Sequence, residues 1–141
     1  MGQINFNQIE ETPLSIINVP GGNVLHALKF NEKSFNKFGE AYFSKIEKNS
    51  IKAWKLHTRM TLNLIVPFGE VEFKFVSEDL KNVKTYIIGN NNYSRLTIPP
   101  NIWFGFRGLG SPYSLILNLA DIIHDPNEVK RISQTDFIIK F

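Results

Sequence analysis

What most constrains this chain is the alternation of apolar and polar side chains over short runs, each closed by a turn signal. Val71, Phe73 and Phe75 alternate with Glu70, Glu72 and Lys74, the pattern of a strand with one wet face. Tyr113, Leu115, Leu117 and Leu119 repeat at the same spacing. Between such runs stand Pro20-Gly21-Gly22, Pro67-Phe68-Gly69, Gly89-Asn90-Asn91-Asn92, Pro99-Pro100-Asn101 and Gly108-Leu109-Gly110-Ser111-Pro112, all of which break strands and start turns. Strands are predicted at residues 14–18, 24–30, 40–47, 51–57, 61–66, 70–76, 84–88, 94–98, 102–107 and 113–119. Many short strands at regular spacing close into a sandwich or barrel, so the expected fold is all-β.

Helix is scarce. Asp125 with Pro126 behind it reads as an N-cap and first helical residue, which predicts one or two helical turns over 125–131. Residues 31–37 read as a helical turn or a plain loop. The ending Phe137-Ile138-Ile139-Lys140-Phe141 is too apolar for a free tail and is expected to pack on the barrel or across a subunit boundary. Edge strands of such sandwiches pair readily, so a homodimer is expected.

The 141 residues make a single domain, 1–141, and with 43% hydrophobic residues including 12 Phe it can bury a substantial core. A net charge of +3 comes from lysines scattered along the chain, which argues against nucleic acid and leaves room for an anionic ligand. There is no cysteine, which excludes disulfides and thiolate metal sites. Met1-Gly2-Gln3-Ile4-Asn5 lacks a charged region followed by an apolar stretch, and no apolar run reaches the ~20 residues of a membrane span. A cytoplasmic protein with no membrane partner is the expectation.

Three histidines are present. His57 ends the run Ile51-Lys52-Ala53-Trp54-Lys55-Leu56-His57. In a strand, Ala53, Lys55 and His57 share one face and Lys52, Trp54 and Leu56 the other. With Lys55 and His57 inward, a base and a cation stand about 7 Å apart, which suits removal of a proton alpha to a carbonyl beside an enolate-stabilising charge. The alternative is a half-solvated histidine at a strand end. His26 has the parity of Val24 and Leu28 and either lines the same barrel or is a satisfied core histidine. His124 precedes the predicted helix start and reads as turn structure. No second histidine stands beside His57 at metal-ligand spacing, so no metal is expected. Nucleophile elbows, phosphate loops and dinucleotide fingerprints are missing, and no other cofactor is expected. Trp103 and Tyr42 differ in parity from their apolar neighbours and are candidates for stacking a base or sugar, against the plainer reading that they pack the core.

Several stretches, in order, resemble the dTDP-4-dehydrorhamnose 3,5-epimerase family, which implies a cupin, or double-stranded β-helix jelly roll. They are residues 51–57, Leu64-Ile65-Val66-Pro67-Phe68-Gly69-Glu70-Val71, residues 96–106 through Ile98-Pro99-Pro100-Asn101, and Asp121 followed by Pro126 and Glu128. Gly22-Asn23-Val24-Leu25-His26-Ala27-Leu28-Lys29 and Glu40-Ala41-Tyr42-Phe43-Ser44 resemble a divergent branch found among cell-surface polysaccharide genes. The resemblance implies His57 as catalytic base and Asp136 as the carboxylate orienting it. Lys55, Arg59, Tyr42, Trp103, His26 and Asn63 are the candidate substrate-binding residues, and the resemblance implies a nucleotide sugar as substrate. The family's substrate-binding arginine falls on Trp54 and its catalytic tyrosine on Leu117. Tyr42, Tyr113 and Tyr86 are the candidate replacement acids. An epimerase or isomerase of a nucleotide-linked 4-keto-6-deoxy sugar is therefore expected. The alternatives are a degenerate jelly roll that binds the nucleotide sugar without chemistry, and a structural subunit.

Overall fold

The computed structural model describes residues 2–141. A short helix α1 (Gly2–Asn7) leads into β1 (Glu10–Pro13) and then β2 (Ile16–Ile17) and β3 (Val24–Leu25). The remaining strands are β4 (Glu40–Glu47), β5 (Ile51–His57), β6 (Leu62–Phe68), β7 (Glu70–Ser77), β8 (Val83–Gly89), β9 (Ser94–Ile98), β10 (Ile102–Gly108), β11 (Tyr113–Ala120) and β12 (Val129–Arg131). Two antiparallel five-stranded sheets result, ordered β1-β9-β6-β11-β4 and β12-β5-β10-β7-β8, while β2 and β3 form a separate hairpin. This is the expected jelly roll. Among the described residues no helix is long and apolar enough to cross a membrane.

The sheets close on one apolar core because alternate residues of each strand point between them. Leu62, Leu64 and Val66 of β6, Leu96 and Ile98 of β9, and Ile46 of β4 meet Phe73 and Phe75 of β7, Ile88 of β8 and Phe104 of β10. Phe6 of α1 joins the same cluster. A second cluster lies outside the second sheet: Trp54, Leu56, Val76 and Trp103, covered by Phe137 from the C-terminal tail. Phe137 stacks on Trp54 with ring centroids 4.6 Å apart. The tail thus packs on the sandwich.

β6 is buried on both faces. Its outer residue Asn63 donates to Ser34 O at 3.2 Å. On neighbouring β9, the fully buried Arg95 donates to Ala27 O at 2.7 Å and pairs with Glu32 at 2.8 Å. These bonds fasten the 26–38 segment over the sheet. At the β6–β7 corner Gly69 has φ +87°, and a Cβ there would stand 2.2 Å from Ser114 Oγ, so only glycine fits.

The expected cap is present, with Asp125 accepting from Asn127 N, but the helix is a single 3-10 turn (Pro126–Glu128), and residues 129–131 run on as β12. The predicted strand 24–30 stops at Leu25, since its partner among the described residues is the two-residue β2. The six-residue helix α1 and four-residue strand β1 are too short for a helical or strand period to mark them in the sequence.

Candidate functional site

The core is not filled at one end. A cavity of about 460 Å³ remains there, and one of its walls is β5 with β12 beside it. β5 carries an irregularity that sets which of its residues reach the cavity. Phe104 of β10 pairs with Lys55 and Gly105 with Ala53, so Trp54 is one residue too many, a bulge that reverses side-chain phase on either side of it. Lys55 and His57 face the cavity as the alternation predicts, and Trp54 and Leu56 lie in the outer cluster. Before the bulge the expectation fails. Ala53 packs outward against Gly105, where a Cβ would meet it at 2.4 Å, and Lys52 takes the inward position.

His57 is buried to 9% exposure with Phe104 stacked on its ring at 6.0 Å. Its Nδ1 lies 2.5 Å from Glu128 Oε1. The other carboxylate oxygen, Oε2, accepts from the backbone N–H groups of Arg59 at 3.1 Å and Met60 at 3.2 Å. Glu128 ends the 3-10 turn, and its own carbonyl accepts from Thr58 N at 2.7 Å. The chain leaving β5 therefore wraps around Glu128 and fixes it against the histidine.

Burial is the largest influence on His57 and holds its pKa below the ordinary 6.5, although the Glu128 carboxylate pulls the other way. Burial alone would raise Glu128. The hydrogen bonds from His57 and from the Arg59 and Met60 N–H groups outweigh it and leave Glu128 below its ordinary 4.5. At neutral pH the pair is a neutral imidazole and a carboxylate. Nδ1–H then donates to Glu128 and Nε2 is left with a free lone pair, the arrangement of an oriented general base.

The same wall is cationic. Lys55 stands directly across from Arg131 of β12, and with Lys52 the two line the cavity. Like charges facing each other across strands repel, and burial together with Arg131 and Lys52 pushes the Lys55 pKa down. Among the described residues none of the three has an ion-pair partner. The opposite wall, from β4 and β11, is neutral and polar: Tyr42, Ser44 and Asn118, with Asn118 Nδ2 donating to Ser44 Oγ at 3.2 Å.

The residues named from sequence divide sharply. His57, Lys55 and Tyr42 come together at the cavity. Asp136 does not reach His57; it lies exposed in a turn where its backbone N donates to Ser133 O, and Glu128 occupies the place intended for it. Arg59 points outward to Asp125 at 2.7 Å. Trp103 belongs to the outer cluster under Phe137. His26 follows the β2–β3 hairpin, its carbonyl accepting from Tyr93 Oη. Asn63 lies on the outer face of β6, accepting from Thr97 Oγ1 at 2.6 Å. Arg131, Lys52, Ser44 and Asn118 were not anticipated. Only Glu128 carried a signal, as the last residue of the Asp121–Pro126–Glu128 pattern. Among the described residues no cluster of three His, Cys, Asp or Glu side chains is placed to hold a metal.

No family model matches the sequence. The fold and the chain are similar to a dTDP-sugar isomerase of Desulfovibrio desulfuricans, with a TM-score of 0.87 and 33% identity over 92% of this chain and 86% of that one. A dTDP-6-deoxy-D-glucose-3,5-epimerase of Legionella pneumophila, solved with dTDP-4-keto-L-rhamnose, shares the fold at TM-score 0.79 and 16% identity, covering 91% of this chain and 74% of that one. A probable low-salt glycan biosynthesis epimerase of Haloferax volcanii is 21% identical over 128 residues, 86% of this chain and 82% of that protein. The one-third identity to the isomerase, sustained over most of both chains, makes this protein a member of the sugar-nucleotide isomerase family, with the fold that the 3,5-epimerase shares.

Proposed function

We propose that this protein is a cofactor-independent epimerase or isomerase of a nucleotide-linked 4-keto-6-deoxy sugar, acting in the synthesis of cell-surface polysaccharide precursors. The observation that carries the reading is the His57–Glu128 pair on the wall of a cavity that also holds three cations, none of which forms an ion pair among the described residues. His57 Nε2 takes the proton alpha to the ketone. The Lys55 ammonium beside it stabilises the enolate oxygen, and Arg131 and Lys52 receive the diphosphate, whose charge relieves their mutual repulsion. Ser44 and Asn118 offer hydrogen bonds to sugar hydroxyls. The glycan biosynthesis named for the Haloferax relative supports the setting. Such substrates are made in the cytoplasm, and we place the protein there.

A homodimer is part of the proposal. β4 is an edge strand, and its Phe43 is 62% exposed beside Leu117 on the outer face. Ile16, Ile17, Val24 and Leu25 of the β2–β3 hairpin are also exposed. Pairing two copies along these surfaces would cover an edge and an apolar face together. Light scattering coupled to gel filtration tests this, with Phe43→Lys expected to shift the mass to monomer.

The catalytic reading is tested by proton NMR in deuterium oxide with a panel of nucleotide-linked 4-keto-6-deoxy sugars. Deuterium entering next to the ketone, and absent with His57→Asn, is the expected result. Saturable binding without exchange would leave a binding module. Absence of both would leave a structural subunit.

A further inference from the structure

The two walls of the cavity come from different sheets, β5 with β12 on one side and β4 with β11 on the other. A sugar ring held flat between them would present one face to His57 and the opposite face to the polar wall. Inverting a carbon needs a proton removed from one face and another delivered to the other. The polar wall therefore has to contain a proton donor if inversion is the reaction.

The position matched to the family's tyrosine cannot supply it. Leu117 lies on the outer face of β11, paired with Phe43, and no side chain there reaches the cavity. Of the tyrosines, Tyr113 packs against Phe68 with Lys45 over its ring, and Tyr86 packs edge-on to Phe75. Neither lines the cavity. Tyr42 does. It shares the inward face of β4 with Ser44 and the buried Ile46 and stands directly across from Asn118.

We infer that Tyr42 is the second proton-transfer residue, delivering from the β4 wall a proton to the carbon that His57 deprotonates from the β5 wall. This rests on the function proposed above and makes the reaction a single-centre inversion. His57 Nε2 takes the proton, the electron pair moves onto the ketone oxygen, and the Tyr42 phenol returns a proton to the opposite face. Tyr42 then regains its proton from water and His57 releases its own, so the cycle balances. Burial, helped by Glu40 and opposed by Arg131, raises the Tyr42 pKa, which keeps the phenol protonated at neutral pH. No hydrogen-bond partner for its hydroxyl is found among the described residues, so the group is open to a ligand.

The experiment uses Tyr42→Phe, a change at a position 39% exposed that leaves the core intact. Wild type, Tyr42→Phe and His57→Asn are each incubated with a dTDP-linked 4-keto-6-deoxyhexose in deuterium oxide, and exchange and epimer formation are followed by NMR. Tyr42→Phe is expected to retain exchange through His57 while epimer formation falls about 100-fold or more; His57→Asn is expected to lose both. Epimer formation by Tyr42→Phe within about threefold of wild type overturns the assignment, since loss of a general acid costs far more. Exchange or ketone migration by wild type without inversion also overturns it, while leaving His57 as base. If wild type neither exchanges nor inverts, the proposed function fails and this inference with it.

Discussion

His57 Nδ1 and Glu128 Oε1 stand 2.5 Å apart although 71 residues separate them. The contact exists because β12 returns alongside β5 with Val129 opposite His57. Glu128 sits at the entrance to that strand, already clamped by the Arg59 and Met60 N–H groups.

Glu128→Gln should therefore damage the site in two ways. The amide either turns its NH2 toward two backbone donors, or turns it toward Nδ1 and favours the tautomer with the proton on Nε2, which removes the base. Turnover is expected to fall by about 10- to 100-fold, and the acidic limb of the rate profile should move to lower pH because the carboxylate no longer supports protonated His57. Initial rates from pH 5 to 8 check both.

Stability should fall on mild acidification. The folded pKa of His57 lies below its ordinary 6.5, so the unfolded chain takes up the proton first. This contribution is complete above about pH 6.5 and is lost as pH falls through the lower folded value. Glu128, also depressed, adds a second loss that begins below about 4.5. Urea midpoints measured at pH 7.5 and 5.5 should differ, and the difference should shrink in His57→Asn.

The cationic wall predicts a salt-sensitive affinity. Arg131→Ala and Lys52→Ala should each weaken dTDP binding by about 10-fold or more, the loss of one charge-assisted hydrogen bond of roughly 1.5–3 kcal/mol. Arg59→Ala should leave affinity nearly unchanged, because its side chain pairs with Asp125 away from the cavity. Calorimetric titration at two ionic strengths separates the cases.

Phe137→Ala should destabilise the fold by about 3–5 kcal/mol, since this residue is 3% exposed, stacks on Trp54 and packs tilted against Trp103. It should also expose Trp54 and Trp103 to water, seen as a red shift in fluorescence before unfolding. Ile138→Ala, at a position 72% exposed, should do neither.

The sequence by itself determined the strands and their inward faces wherever the alternation ran unbroken. β4, β5 and β9 match the expected bounds, and His57 and Lys55 were placed together by a spacing that depends only on the pleat. It could not show the bulge at Trp54, because an extra residue in one strand is defined by its partner β10, and Lys52 was assigned to the wrong face as a result. Nor could it show which carboxylate meets His57. Asp136 and Glu128 are equally plain in the chain; the return of β12 brings one to the ring and leaves the other in a solvent-exposed turn. Burial, charge repulsion between Lys55 and Arg131, and the meeting of Tyr42 and His57 at one cavity arise from strands distant in sequence. Local periodicity made the walls legible, and only the closure of two sheets decided what faces what across the space between them.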